Sequence, residues 1–336
     1  MKFNLPLLRW LARRRNRPIF TAEKKIRIRS LEFFLTDTCN LRCRQCAASS
    51  PFFTRADLPD LEDFRRDLAV LASVMECDEL KLLGGEPLMN EHIIEYLEAA
   101  HSSGMFRGLR VATNGLLLHK MPASFWKAVN TVEISLYPVS RSHLTEKKLS
   151  ELSTIASHCG ARLEVRKIDW FREATRTTPE KDSLLVKKTF SACSEAHEWS
   201  NHLLYRHRLY RCSRIPTLDR YLTERGHVHD SFAKDDGLSI SARSTLRDEL
   251  FAYLTSPVPL GACSFCHGTS GKWFPVRQLR ISEVRSRRSG TDPKVVTGRQ
   301  AVLSLLKIPL QAKPEVAQRD LCAENETEPD PNDERH

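Results

Sequence analysis

Five short apolar segments, separated by segments with helical periodicity, run through residues 31–168 and restrict the fold more than any other feature. They lie at 31–36, 79–83, 109–113, 131–136 and 161–168. Between them, apolar residues recur every three or four positions, as in Leu61, Phe64 and Leu68, and no hairpin signal joins two strands. Strands connected by helices run parallel with right-handed crossovers, so we expect an α/β fold built on a parallel sheet.

The pattern changes after residue 168. Residues 203–205 and 208–211 resemble the two arms of a hairpin, with Arg206-His207 at the bend, although these are not favoured turn residues. Residues 225–247 are polar and predict a loop-rich insertion, and residues 298–308 predict one more helix. From Pro314 onward the acidic composition predicts a disordered tail.

Charge is concentrated at the two ends of the chain. The net charge is +10, yet residues 1–30 hold ten lysines and arginines with one glutamate, and residues 311–336 hold eight acids with three bases. No apolar run reaches the ~18 residues that span a bilayer, and no secretory signal is present at the N-terminus. We therefore expect a cytoplasmic protein, in which ten cysteines indicate metal binding or catalysis before disulfides.

Three cysteines, Cys39, Cys43 and Cys46, follow the first predicted strand in a CxxxCxxC spacing. Three thiolates on one short loop can hold an iron–sulfur cube and leave its fourth iron open for a ligand. Zinc is the alternative, but a structural zinc site requires four ligands. The spacing therefore favours a cluster.

Small or polar residues stand where later strands end. Gly84-Gly85-Glu86-Pro87 follows the second strand, Asn114 the third, and Ser135 lies near the end of the fourth. Ligand sites in parallel sheets form at these strand ends, although the first segment alone is equally typical of an ordinary turn.

Taken together, CNLRCRQC, GGEP, VATNG and VEISLYP resemble, in order and spacing, the motifs of radical S-adenosylmethionine (radical SAM) enzymes, across about residues 31–170. The resemblance implies a partial parallel (βα)6-like barrel, with a [4Fe–4S] cluster on the three cysteines and S-adenosylmethionine chelating its open iron. Gly84, Gly85, Glu86 and Pro87 match the motif that binds the methionine amine, and Asn114 and Ser135 match positions that contact the ribose or carboxylate. Gln45 departs from the aromatic residue usual before the third cysteine.

A second cysteine set, Cys193, Cys212, Cys263 and Cys266, resembles the Twitch auxiliary-cluster domain of these enzymes over about residues 190–280. That resemblance implies a second, fully ligated [4Fe–4S] cluster in a small C-terminal domain with a hairpin; zinc is again the alternative. The resulting division is a basic arm (1–30), a core (31–185), an auxiliary domain (186–285) and a C-terminal helix and tail (286–336). Cys77 and Cys159 are expected to be core or helix-end thiols, and Cys322 lies in the tail.

By the same resemblance, the cleaved cofactor gives a 5′-deoxyadenosyl radical that abstracts hydrogen from a substrate. The expected reaction oxidises a secondary alcohol of a sugar or cyclitol, with the second cluster as electron acceptor and flavodoxin or ferredoxin as reductant. Such an oxidation needs a base, for which Arg166, Lys167 and Tyr137 near strand ends are candidates.

Three alternatives remain open. Within the class, the chain could be a sugar epimerase with Cys159 as hydrogen donor, or a peptide-modifying maturase. From another class, basic residues with cysteine ligands could describe a zinc-bearing nucleic-acid-binding protein. We expect no nucleic-acid partner, because the basic residues lack a recognition-helix pattern; the arm could contact an anionic membrane surface weakly.

Overall fold

The computed structural model describes residues 5–53 and 55–286. Its strands are β1 (Ile19–Phe20), β2 (Ile26–Thr36), β3 (Met75–Gly84), β4 (Phe106–Thr113), β5 (Thr131–Leu136), β6 (Arg162–Lys167), β7 (Trp170–Arg172), β8 (His202–Tyr205), β9 (Arg208–Tyr210), β10 (Gly237–Ser239) and β11 (Trp273–Pro275). Its α-helices are α1 (Leu5–Asn16), α2 (Leu61–Val74), α3 (Ile93–Ser102), α4 (Ala123–Ala128), α5 (Glu146–His158), α6 (Ser183–Ala192), α7 (Arg214–Glu224), α8 (Ala233–Asp236), α9 (Leu246–Thr255) and α10 (Ile281–Ser286).

One large sheet contains most of the strands, in the order β10-β9-β8-β2-β3-β4-β5-β6, with β1 also paired to β2. The six strands from β8 to β6 are parallel, which confirms the predicted partial parallel barrel. β7 and β11 form a separate antiparallel pair.

All five strands predicted for the core are confirmed as β2 to β6, and the predicted helical segments between them are α2, α3, α4 and α5. The helix α2 illustrates why the periodicity was informative: Phe64, Leu68 and Leu71 on one of its faces are buried. Its first turn is capped by Asp60, whose carboxylate accepts a hydrogen bond from Asp63 N at 2.9 Å.

The predicted hairpin is also confirmed as β8 and β9. Arg206 and His207 at its bend both have positive φ, 48° and 58°, as a tight turn between right-twisted strands requires. His207 Nδ1 lies 2.9 Å from the Asp67 carboxylate on α2, a contact that holds this unusual turn. Most of segment 225–247 lies outside helices and strands, as predicted, and it also contains α8 and β10, which pairs with β9.

The basic N-terminal segment contains a helix that packs against a later part of the chain. The helix α1 lies against residues 195–200: Arg13 donates to Ser191 O at 3.0 Å, and Ser200 Oγ donates to Asn16 O at 3.0 Å. The helix predicted at 298–308, the acidic tail and Cys322 lie outside the described residues. Within the described part of the chain, no helix is both long and apolar enough to cross a bilayer.

Side chains that alternate along β2 determine which of its residues face the helices and which face the site. In the C-terminal half of β2, Leu31, Phe33 and Leu35 are buried against the helices. Glu32 and Phe34 alternate with them and point to the opposite side, inside the barrel. Because the central strands are parallel, the loops after β2, β3, β4 and β5 meet at one edge of the sheet.

Candidate functional site

A cavity of about 260 Å³ lies at the carboxyl ends of the central strands. Its wall contains the three cysteines of the loop after β2 and several other residues singled out in the sequence, namely Cys39, Cys43, Cys46, Gly84, Gly85, Asn114, Ser135 and Tyr137. The structure therefore brings these residues together around one space; their individual roles stay predictions.

The two glycines after β3 are required by the segment that leads into the cysteine loop. A Cβ on Gly84 would lie 2.1 Å from Thr36 O, and one on Gly85 would lie 1.9 Å from Thr38 O. The contact is reinforced by backbone hydrogen bonds from Gly85 N to Thr36 O at 2.7 Å and from Glu86 N to Thr38 O at 2.8 Å. The glycines thus allow backbone to approach backbone and fix where the cysteine loop begins.

Glu86 lies beneath the cavity rather than on its wall. Its carboxylate is fully buried and accepts hydrogen bonds from Thr113 Oγ1 at 2.5 Å and Asn114 N at 2.8 Å. Burial raises the pKa of this carboxyl to about 7. Glu86 therefore organises the end of β4, and its predicted contact with the methionine amine stays a prediction; Pro87, also buried, begins the next turn.

Asn114 joins the end of β4 to the cysteine loop. Its Nδ2 donates to Asn40 Oδ1 at 2.6 Å, and its Oδ1 accepts from Leu116 N at 3.0 Å. Since both ends of the amide are engaged, its orientation toward the loop is fixed.

The cysteine loop fits a cationic group. Burial raises the pKa of Cys39 and Cys43, the latter to about 12, and repulsion from the neighbouring Cys46 thiolate adds to both shifts. Three thiolates so close together require a cation to balance their charge, as an iron–sulfur cluster would. Cys39, Cys43 and Cys46 are the residues that could hold it. Among the described residues, no three Cys, His, Asp or Glu side chains converge closely enough to hold a single metal ion.

The three candidate bases fall in different places. Tyr137 lies on the cavity wall, where burial raises its pKa, and its ring packs 5.5 Å from that of Phe171. Arg166 is corrected: its side chain is 64% exposed and pairs with Glu133 at 3.1 Å instead of lining the cavity. Lys167 is also corrected, because it is exposed and pairs in register with Leu136, whose side chain faces the helices.

The polar residues that line the cavity and were missed by the sequence analysis include Glu32, Glu195, Asn201 and Arg214. Glu32 is fully buried, and burial raises its pKa to about 7. A signal existed for each charged residue. Glu32 is the only charged residue between 30 and 36, while Glu195 and Arg214 each stand two residues after a cysteine of the second set.

The second cysteine set surrounds a separate cavity of about 40 Å³. Cys193 ends α6, Cys212 follows β9, and Cys263 and Cys266 come from the turn after α9; all four line the cavity with apolar neighbours such as Phe190 and Ile215. Burial raises the pKa of Cys193, Cys212 and Cys263, and neighbouring thiolates add to it. This donor set also fits a cationic cluster.

Arg214 lines both cavities. Its Nη2 donates to Glu195 Oε1 at 2.9 Å, and Asn201 Nδ2 donates to the other oxygen of the same carboxylate at 2.5 Å. The buried Nη1 atom of Arg214 has no hydrogen-bond partner among the described residues. A single side chain thus separates the two cysteine-lined spaces and retains an unused donor.

Comparison with known proteins identifies the segment that contains the first cavity's motifs. Residues 33–149 match the family model described as the Radical SAM superfamily. The match begins in β2, ends in α5, and includes the three cysteines, the glycine pair, Asn114 and Ser135. The similarity to radical SAM enzymes that the motifs predicted is therefore found over this segment.

Curated relatives match over the same region. The GTP 3′,8-cyclase of Geobacter sulfurreducens is 35% identical over 113 residues, which are 33% of this chain and 34% of that protein. Molybdenum cofactor biosynthesis protein 1 of Mus musculus is 33% identical over 109 residues, 32% of this chain and 17% of that protein. The chain thus spans about a third or less of the length of these relatives.

Among the solved structures that match are BtrN and anSMEcpe. BtrN in complex with AdoMet and 2-DOIA is 10% identical with a TM-score of 0.38, covering 72% of this chain and 94% of that chain. Native anSMEcpe with bound AdoMet and Cp18Cys peptide is 15% identical with a TM-score of 0.31, covering 40% and 42%.

Proposed function

We propose that this protein is a radical SAM enzyme with two [4Fe–4S] clusters that oxidises a secondary alcohol of a sugar or cyclitol to a ketone. In such an oxidation the substrate carbon would give up a hydrogen atom and the hydroxyl group a proton to a base, and a cluster held by Cys193, Cys212, Cys263 and Cys266 would supply the acceptor for the remaining electron. The observation that carries the proposal is the pair of cysteine-lined cavities separated by Arg214.

When bound, the first cluster supplies the electron that cleaves S-adenosylmethionine to methionine and the 5′-deoxyadenosyl radical. Cys39, Cys43 and Cys46 would hold this cluster, and the Gly84–Gly85 backbone would place their loop. Asn114 and Ser135, both on the wall, would orient the cofactor. The reductant is a protein such as flavodoxin or ferredoxin, and the setting is the cytoplasm.

Glu32 is the proton acceptor that the structure favours over the three bases expected from the sequence. It lines the cavity, and burial gives it an affinity for protons suited to neutral pH. The charged groups that face it are Lys81, Glu195 and Arg214. Tyr137, whose pKa is raised further from neutrality, would instead shape the wall.

Cys193, Cys212, Cys263 and Cys266 would ligate the second cluster without leaving an open iron. Arg214, which lines both cavities and has a buried Nη1 without a hydrogen-bond partner among the described residues, would contribute a positive charge next to this cluster. The two cysteine-lined cavities also support the proposed division into a core (31–185) and an auxiliary domain (186–285). β8 and β9 of the auxiliary domain extend the main sheet of the core.

Radical epimerisation with Cys159 as hydrogen donor receives no support from the placement of this residue. Cys159 ends α5, before β6 begins, and therefore lies toward the edge of the sheet opposite the cavity. Cys77, the other cysteine near the core, is buried in β3 and its Sγ lies 3.2 Å from Glu79 O.

Metal content and product formation test the proposal. Anaerobically reconstituted protein should contain about eight irons per chain. With dithionite and S-adenosylmethionine, a panel of sugars, aminocyclitols and glycosides should include a substrate that promotes 5′-deoxyadenosine release and yields a carbonyl product. Colourless protein with stoichiometric zinc would refute the proposal and favour the zinc-bearing class. Deuterium incorporated from solvent into a product without a carbonyl would favour epimerisation.

A pair of cysteine variants supplies the control. Cys39→Ala should abolish 5′-deoxyadenosine formation. Cys77→Ala should retain it, because the Cys77 thiol is buried but lines neither cavity. Equal activity of the two variants would contradict the assignment of the cysteine loop.

A further inference from the structure

A segment from the far end of the described chain covers the first cysteine loop. This segment, Val276 to Leu279, is called here the strap. Leu279 N donates to Arg42 O at 2.7 Å, and Arg44 N donates to Arg277 O at 3.0 Å. These bonds flank an antiparallel bridge between Cys43 and Gln278, so the strap lies directly against the middle cysteine.

The side chain of Gln278 is held at both ends. Its Oε1 accepts a hydrogen bond from Arg42 N at 2.5 Å, and its Nε2 donates to Cys43 Sγ at 3.2 Å. Because a backbone N–H can only donate, the amide oxygen must face Arg42. The amide nitrogen must then face the sulfur, which fixes an N–H···S hydrogen bond.

Packing at both ends keeps the strap in register. Before Gln278, Val276 N donates to Asp169 O at 2.8 Å. After it, Leu279 is buried in a small apolar cluster with Phe52 and Val284. The donor to Cys43 therefore comes from a fixed segment 235 residues away in sequence. Cys39 Sγ accepts from Leu41 N at 3.4 Å, within the loop, and from Asn114 Nδ2 at the longer distance of 4.0 Å.

We infer that Gln278 is a positioning residue that raises the reduction potential of the first cluster by donating an N–H···S hydrogen bond to Cys43. The inference rests on the proposed ligation of that cluster by Cys39, Cys43 and Cys46. Hydrogen bonds to the sulfurs help to set the potential of such clusters. Reduction adds negative charge, which the N–H dipole stabilises, so the bond favours the reduced cluster without adding a charge of its own.

Two substitutions remove the donor in different ways. Gln278→Leu removes both hydrogen bonds of the amide. Gln278→Glu keeps an oxygen that can accept from Arg42 N, and so keeps the strap in register, but places an oxygen instead of an N–H against the sulfur. Ser282→Ala is the matched control, because Ser282 is exposed on α10, just beyond the strap.

The measurement is a one-electron redox titration of the reconstituted full-length protein with dithionite, followed by electron paramagnetic resonance. The signal that changes on addition of S-adenosylmethionine identifies the first cluster. At the wild-type midpoint, Gln278→Leu should show an about tenfold lower ratio of reduced to oxidised first cluster, which is 59 mV for a one-electron couple. Gln278→Glu, whose carboxylate also repels the added electron, should lower the ratio at least as much. Ser282→Ala should match the wild type.

A wild-type midpoint in either Gln278 variant would overturn the inference. Loss of the first cluster from both variants would also overturn it, since Gln278 would then anchor the cluster rather than adjust its potential. Neither result would bear on the alcohol oxidation, which is measured separately through 5′-deoxyadenosine and the carbonyl product. If no signal of the wild-type protein responds to S-adenosylmethionine, the proposed function itself fails.

Discussion

Replacing Gly85 with alanine should impair binding of the first cluster and leave binding of the second cluster unchanged. The added Cβ would lie 1.9 Å from Thr38 O, whereas real Cβ contacts begin near 3.0 Å, so the backbone beside Cys39 must move by about 1 Å. That movement strains the backbone hydrogen bonds to Thr36 O and Thr38 O. Overpacking together with two weakened hydrogen bonds should cost about 2–4 kcal/mol in the free energy of unfolding.

Iron content shows whether the effect is local. Neither Gly85 nor Thr38 lines the second cavity, so Gly85→Ala protein should retain about four irons per chain, where the proposed function predicts about eight for the wild type. Urea denaturation of the metal-free protein measures the stability change. Gly108→Ala is the control, because a Cβ there meets nothing closer than 3.9 Å. Wild-type iron content and stability in Gly85→Ala would show that the glycine contact does not place the cysteine loop.

Three further predictions follow from other contacts. Burial raises the pKa of Glu32 from 4.5 to about 7, so the folded state binds the proton more tightly and wild-type stability should fall as pH rises through this interval. The free energy of unfolding of Glu32→Gln relative to that of the wild type, measured by urea denaturation, should therefore rise by up to about 3 kcal/mol from pH 4 to pH 8. An equal difference between variant and wild type at both pH values would contradict the assignment. Cys193→Ala should lower iron to about four per chain and retain 5′-deoxyadenosine formation but lose the carbonyl product; retention of product would refute an electron-accepting role for the second site. Arg13→Ala should increase amide hydrogen exchange in residues 195–200 while costing less than about 1 kcal/mol, since Arg13 is partly exposed; unchanged exchange would show that its contact with Ser191 does not hold α1 in place.

The core strands could be predicted because their pattern is local. Each buried strand is a short apolar run, and each crossover helix shows its own periodicity, so β5 was predicted at the residues where it occurs. The common location of the cysteine loop and the strand-end residues could also be predicted, because parallel strands bring their carboxyl ends to one edge of the sheet.

Features that depend on distant pairing could not be predicted. Lys167 was proposed for the cavity, but which face of β6 points inward depends on its register with β5. Gln278 had no visible role because its partners, Arg42 and Cys43, are more than 230 residues away. The docking of α1 depends in the same way on residues 191–200, which no local pattern connects to it.

The pairing of β8 with β2 affects how the chain emerges from the ribosome. β2 is the first core strand to be made, yet its neighbour on one side, paired through Leu31 and His202, follows it by about 170 residues, or roughly 10–30 s of synthesis. Until then β1 pairs only with Ile26 and Arg27 on β2. An open strand edge of this kind can pair with other chains, so nascent chains that end before β8 should be the ones most dependent on chaperones.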